Sequence, residues 1–188
     1  MAHLPAGIPV LTTARLRLRP YTLADAPAVT ELAGHAEVSR YLIHVPHPYP
    51  AGLAETWIAA QADAWSQGLG ATWAVTRLSD GVLLGTTSLR WVRRHDHAEL
   101  GYWLGRDHWG HGFAVEAAGA TLDYAFVGLR CMRVFAQYLR GNERSARVLT
   151  QLGMTPEGMR RAHIKKGGEY LDCYQFGILR SEHTARRR

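Results

Sequence analysis

The sequence predicts an α/β (α+β) fold: one mixed, mostly antiparallel sheet of about seven strands, flanked by about four helices. Three observations carry that expectation. Short strand-like runs recur around a small number of helical stretches. A strand, a glycine-rich turn, a helix and another strand follow one another between residues 97 and 139, which predicts a right-handed parallel crossover. No repeat, low-complexity block or long linker divides the 188 residues, a length that suits one domain with a full hydrophobic core.

The elements follow in order. Residues 14–19 alternate polar and apolar, the period of a strand with one buried face, and Pro20 stops it. Thr22 is placed to cap a helix over 23–34, with Asp25 at its third position and Ala28, Val29 and Leu32 as its apolar stripe. The three prolines of residues 44–50 require an irregular loop. Trp57, Ile58, Gln61 and Trp65 fall at helical spacing and predict a helix over 52–67. Strands over 71–77 and 82–91 flank the turn Ser79-Asp80-Gly81, and 97–104 forms a third adjacent strand. A helix over 112–127 presents Ala114, Ala117, Ala118, Thr121, Leu122 and Ala125 on one face. A strand over 131–139 leads to a helix over 142–152, capped by Asn142 and closed by Gly153. Strands over 156–164 and 170–179 are joined by Lys165-Lys166-Gly167-Gly168. Residues 1–188 thus read as a single domain, with 181–188 as a flexible basic tail.

Composition narrows the classes. The chain is 47% hydrophobic and 20% charged, which argues against disorder. No apolar run approaches the roughly 20 residues of a membrane helix, and residues 1–7 lack the pattern of a secretory signal. Two cysteines, Cys131 and Cys173, make no disulfide framework, so a reducing cytoplasm is the simplest expectation. Three of the positive charges behind the net +6 sit in Arg186, Arg187 and Arg188. The other basic residues are scattered and accompany no recognised binding motif, which argues against a nucleic-acid partner.

The chemistry concentrates in residues 99–117, Glu-Leu-Gly-Tyr-Trp-Leu-Gly-Arg-Asp-His-Trp-Gly-His-Gly-Phe-Ala-Val-Glu-Ala. A strand runs into glycines, and a helix begins there. Glycines let the backbone turn tightly and approach a ligand. The first amides of the helix have no internal acceptor and sit at the positive end of its dipole, which suits phosphates. The spacing fits neither a P-loop nor a dinucleotide fingerprint. A second segment, residues 142–154, begins with Asn142 as a cap and places Ser145 in the first turn of its helix.

In this order the segments resemble the GNAT superfamily of N-acetyltransferases, and within it the ribosomal-protein-alanine (RimJ/RimL) type. The resemblance covers nearly the whole chain. It rests on Thr13-x-Arg-Leu-x-Leu-Arg, Trp109-Gly-x-Gly-Phe-Ala-x-Glu-Ala, Asp123-Tyr-Ala-Phe, Asn142-x-x-Ser, Leu152-Gly-Met and Gly168-x-Tyr-x-Asp172. It implies acetyl-CoA as donor, with coenzyme A as product. The backbone of Trp103 and Leu104 would bind the pantetheine arm. The amides of Trp109, Gly110, His111, Gly112, Phe113 and Ala114 would hold the pyrophosphate, and Asn142 would bond the cofactor. Ser145 matches the acid that protonates the departing thiolate. The family's base position, a glutamate on the strand after Gly158, falls on His163. Asp107 stands where the family prefers glutamine or arginine.

The implied reaction is direct attack of a primary amine, at a protein N-terminus or on a small molecule, within a ternary complex. The candidate catalytic residues are Ser145 as acid and His163 or Glu99 as base. Neither cysteine sits in a nucleophile motif. The histidine pairs His44/His47, His95/His97 and His108/His111 lack the carboxylates or thiols that would complete a metal site, so no metal is expected. Tyr41, Trp57 and Trp65 fall where the family builds its acceptor pocket, although core packing explains the two tryptophans equally well. A non-catalytic acyl-CoA-binding module and a longer acyl donor remain alternatives, as do monomer and homodimer.

Overall fold

The computed structural model describes residues 5–185. One sheet of eight strands runs through it in the spatial order β1-β2-β3-β4-β5-β6-β8-β7. The strands are β1 (Leu11–Thr12), β2 (Leu16–Arg19), β3 (Gly70–Arg77), β4 (Leu83–Val92), β5 (His97–Leu104), β6 (Arg133–Leu139), β7 (Thr155–Lys166) and β8 (Glu169–Leu179). Every neighbouring pair is antiparallel except β5 with β6, the pair joined by the helical crossover. Seven strands were expected, and the eighth is the two-residue β1. Residues 14 and 15, read as strand, instead belong to the turn between β1 and β2. There Thr13 Oγ1 accepts from Leu16 N–H at 3.0 Å and Thr13 N–H donates to Leu16 O at 2.9 Å.

Helices cover both faces. α1 (Ala26–Gly34) and α3 (Leu53–Ser66) lie on one, joined through the single turn α2 (Ala36–Ser39). Pro27 stands near the start of α1, where its missing N–H costs nothing. Ala26, Val29, Ala54 and Ile58 pack on Ala74 and Leu83 of the sheet. The other face carries α4 (Phe113–Asp123) and α5 (Glu143–Gln151). Ala117, Ala118 and Leu122 of α4 meet Trp73, Leu89 and Leu100 in the main core, where each fully buried large side chain contributes about 1.5–3 kcal/mol. The small alanines let α4 approach the sheet closely. α4 does not run on unbroken to residue 127: Tyr124–Gly128 forms a wider, π-type turn.

Of the expected tail from 181, residues 181–185 lie in a short helix. Residues Arg180–Ala185 form α6, tied back by a 2.8 Å contact of His183 Nε2 with Asp123 and by the His183 ring, tilted against that of Phe126 at 4.9 Å. Residues 186–188 lie outside the described residues. No helix among the described residues is long and apolar enough to cross a membrane.

Candidate active site

Pairing of β5 with β6 covers only His97 with Arg133, Ala98 with Val134 and Glu99 with Phe135. Beyond Glu99 the strands part, while β5 stays on β4 to Leu104 and β6 stays on β8 to Leu139. The gap opens into a cavity of about 380 Å³. The β4–β5 ladder sets which groups face it. Gly105 N–H donates to Leu84 O at 2.9 Å. Antiparallel alternation from that bond turns the main-chain groups of Trp103 toward β4 and those of Tyr102 and Leu104 toward the gap. Of the two residues expected to offer backbone groups, Leu104 turns them to the gap. Trp103 lines the cavity, with its main chain bonded into the β4 ladder, whereas the main-chain groups of Tyr102 face the gap.

Two helix N-termini close one end of the cavity. Trp109, Gly110, Gly112, Phe113 and Ala114 line it ahead of and within the first turn of α4. Gly110 and Gly112 have φ of +81° and +77°, which only glycine adopts without strain. His111 lies on the outer rim with Arg106, Asp107 and Arg144. At the start of α5, Asn142 Oδ1 accepts from Ser145 N–H at 3.3 Å, and both residues line the cavity. Arg144 and Arg147 join them, the Arg144 guanidinium lying over the Trp109 ring at 4.4 Å. Sequence reasoning passed over both arginines. A signal was present, because arginine in the first turns of a helix runs against its dipole unless an anion sits between.

The other overlooked residue is Tyr102. Its ring lies on the α5 side of β5, its hydroxyl is 2.7 Å from Ser145 Oγ and it donates to Ser145 O at 3.2 Å. Burial raises the phenol above its ordinary range, so it stays protonated at any working pH. His108 also lines the cavity, and burial together with the charge of Arg77 lowers its pKa.

The candidate bases separate. Glu99 stands at the vertex of the gap. Its carboxylate accepts from Arg90 and, at 2.7 Å, from Gln137 Nε2, and Gln137 lines the cavity. His163 is not among the lining residues. It is exposed on edge strand β7, with Nε2 3.0 Å from Arg160 Nη1. Register slips between Arg160 and Ile164 around Ala162, whose φ is +50°. The slip makes counting along the strand from Gly158 unreliable.

Tyr41, Leu42 and Ile43 roof the cavity. Tyr41 Oη donates to Gly141 O at 3.0 Å, and Lys166 Nζ donates to Leu42 O at 2.8 Å and Val45 O at 2.5 Å. Of the two readings of the helical tryptophans, core packing is the one their contacts match: Trp57 lies against Tyr21 at 5.0 Å and Trp65 against Trp91 at 5.6 Å. Both cysteines are buried and unpaired by disulfide. Among the described residues no group of three His, Cys, Asp or Glu is placed to hold a metal ion.

Residues 15–155 match the family model described as acetyltransferase (GNAT) domain. The chain is 31% identical over 175 residues to the uncharacterized N-acetyltransferase p20 of Bacillus licheniformis, covering 93% of this chain and 98% of that one. Its fold superposes on a ribosomal-protein-S5-alanine acetyltransferase from Vibrio fischeri, with a TM-score of 0.79 and 19% identity over 93% of this chain and 98% of the other. It also superposes on a spermidine N-acetyltransferase from Vibrio cholerae solved with CoA and spermine, with a TM-score of 0.78 and 20% identity over 92% and 99%. The parted strands, the glycine turn at a helix mouth and the match over most of the chain lead to one conclusion: this protein belongs to the GNAT family of N-acetyltransferases, enzymes that move an acetyl group from acetyl-CoA to an amine.

Proposed function

We propose that the protein acetylates an uncharged primary amine, the α-amine of a peptide N-terminus or a small molecule of similar basicity, by direct attack in a ternary complex. The observation that carries this reading is the β5–β6 gap. It puts strand main chain, two helix N-termini and Ser145 around one cavity, with Glu99 at its vertex.

The residues present fit acetyl-CoA, which supplies an activated thioester. The amides from Gly110 to Ala114 and the mouth of α4 suit its pyrophosphate, with Arg144 and Arg147 adding charge. Tyr102 and Leu104 turn main-chain groups to the gap, where they hold the pantetheine arm and the charge that develops on the acyl oxygen. Ser145 Oγ, oriented by Tyr102, donates a proton to the departing sulfur. Glu99 is the carboxylate tied to the cavity wall, through Gln137. Arg90 and Gln137 both donate to Glu99. An α-amine with a pKa of about 8 needs little help to lose its proton, whereas a lysine amine at about 10.4 needs a base or a desolvating pocket. Alignment of the two reactants supplies much of the remaining acceleration.

The test is thiol release from acetyl-CoA against N-terminal peptides, polyamines, aminoglycosides and free amino acids. We expect turnover with α-amines, a loss of at least about tenfold in Ser145→Ala and Glu99→Gln, and no loss in His163→Ala. Turnover confined to lysine side chains or strongly basic polyamines, or an impaired His163→Ala, overturns the assignment.

A further inference from the structure

The Thr13-x-Arg15 motif lies outside the cavity, yet it grips the loop that forms the cavity's end. Thr13 Oγ1 donates to Glu116 Oε1 at 2.6 Å, across 103 residues of sequence. Arg15 N–H donates to the same oxygen at 2.9 Å, and Arg15 Nε donates to Oε2 at 2.7 Å. Arg15 Nη1 reaches on to the His111 carbonyl at 3.0 Å, and the guanidinium lies over the Phe113 ring at 4.7 Å. One arginine from the β1–β2 turn therefore touches both sides of Gly112.

Two physical consequences follow. Glu116 sits in the first turns of α4, where a loose carboxylate would compete with an incoming anion for the amides and repel it. Partial burial pushes this carboxyl up, but the bonds from Thr13 and Arg15 push it down further, so it is held ionised below its ordinary range and turned away from the cavity. The second consequence concerns the peptide joining His111 to Gly112. In a trans peptide the C=O and N–H point in opposite directions. Arg15 holds the His111 oxygen on its own side, outside the cavity that Gly112 lines. The Gly112 N–H is thereby aimed inward.

We propose that Arg15 is a positioning residue for the donor. With Thr13 it neutralises Glu116 and fixes the His111–Gly112 peptide so that its amide meets the pyrophosphate. This rests on the reading of the cavity as the acetyl-CoA site. Its ligand-side signature is narrow, because only molecules carrying the pyrophosphate feel the clamp.

The experiment titrates Trp fluorescence with CoA and with pantetheine, which lacks the pyrophosphate, in wild type, Arg15→Met and Arg15→Lys. Expected is a loss of CoA affinity of about tenfold or more in Arg15→Met, with pantetheine affinity within about twofold of wild type. Arg15→Lys keeps the charge but not the fork that reaches Glu116 and His111 together, and it is expected to lose most of the same affinity. Unchanged CoA binding in Arg15→Met, equal weakening of both ligands, or wild-type behaviour in Arg15→Lys each overturns the proposal. Failure of the wild-type protein to bind CoA at all overturns the site reading beneath it, a result distinct from the other three.

Discussion

Replacing Tyr102 by phenylalanine removes one oxygen and keeps the ring. That oxygen makes two contacts, 2.7 Å to Ser145 Oγ and 3.2 Å to Ser145 O. A neutral hydrogen bond contributes about 0.5–1.5 kcal/mol. If the 2.7 Å bond matters mainly when Ser145 gives up its proton, the whole of it enters the barrier. At 1.36 kcal/mol per decade, kcat falls about two- to thirteenfold, with little change in KM for acetyl-CoA. The assay is steady-state thiol release by Tyr102→Phe, Ser145→Ala and the double variant. If Tyr102 acts through Ser145, the second substitution costs little once the first is made, and the cycle is strongly non-additive. Fully additive losses would refute the coupling, and an unchanged Tyr102→Phe would show that Ser145 needs no orienting partner.

Other expectations concern stability and reactivity. Trp73 is fully buried, edge-on to Tyr124 at 5.7 Å and bonded from Nε1 to Pro9 O at 2.7 Å. Trp73→Ala is expected to cost about 3–5 kcal/mol in urea unfolding, and a loss under about 1 would contradict its place in the core. Burial pushes the Asp25 carboxyl up, but bonds from Arg19 and Thr22 push it down further, so it titrates below its ordinary range. A carboxyl depressed on folding stabilises above its unfolded pKa of about 3.9, and that share is lost as pH falls through the folded value. Arg19→Met should therefore cost roughly 2–3 kcal/mol at neutral pH, less than a fully buried pair because Arg19 keeps 27% exposure. The cost should shrink as pH falls below the ordinary carboxylate range and Asp25 takes up its proton, as chemical denaturation across pH would record. Burial pushes the Cys131 thiol up to about 11 and raises that of Cys173. Mass spectrometry after iodoacetamide at pH 8 should find both unlabelled in the native protein and both labelled in urea.

What the sequence made legible follows the range of the forces. Helix caps, the hairpin turn and the glycine loop are local, and Asn142, Gly110 and Gly112 occupy the places their chemistry requires. The two-residue β1 is too short to show a period, and the π-type turn at Tyr124–Gly128 continues a helical pattern without a break in composition. The site was harder to read where it depends on distant partners. Tyr102 meets Ser145 across 43 residues, and nothing near Tyr102 announces it. His163 lies where the register of β7 slips between Arg160 and Ile164, so a strand period of two does not carry across it. The strand-by-strand alternation that separates Tyr102 from Trp103 exists only once β4 has been paired in register.

The parting of β5 from β6 also bears on how long the protein lasts. Sheet edges are ordinarily completed by neighbouring strands or by water, and here two inner edges are left open beyond Glu99. In the proposed complex the donor is a piece of the fold as well as a reactant. A ligand at a hundred times its Kd adds about 2.7 kcal/mol to the native state, a large fraction of the margin of a typical domain. In that complex, resistance to unfolding and to proteolysis of the opened state rises with acetyl-CoA concentration.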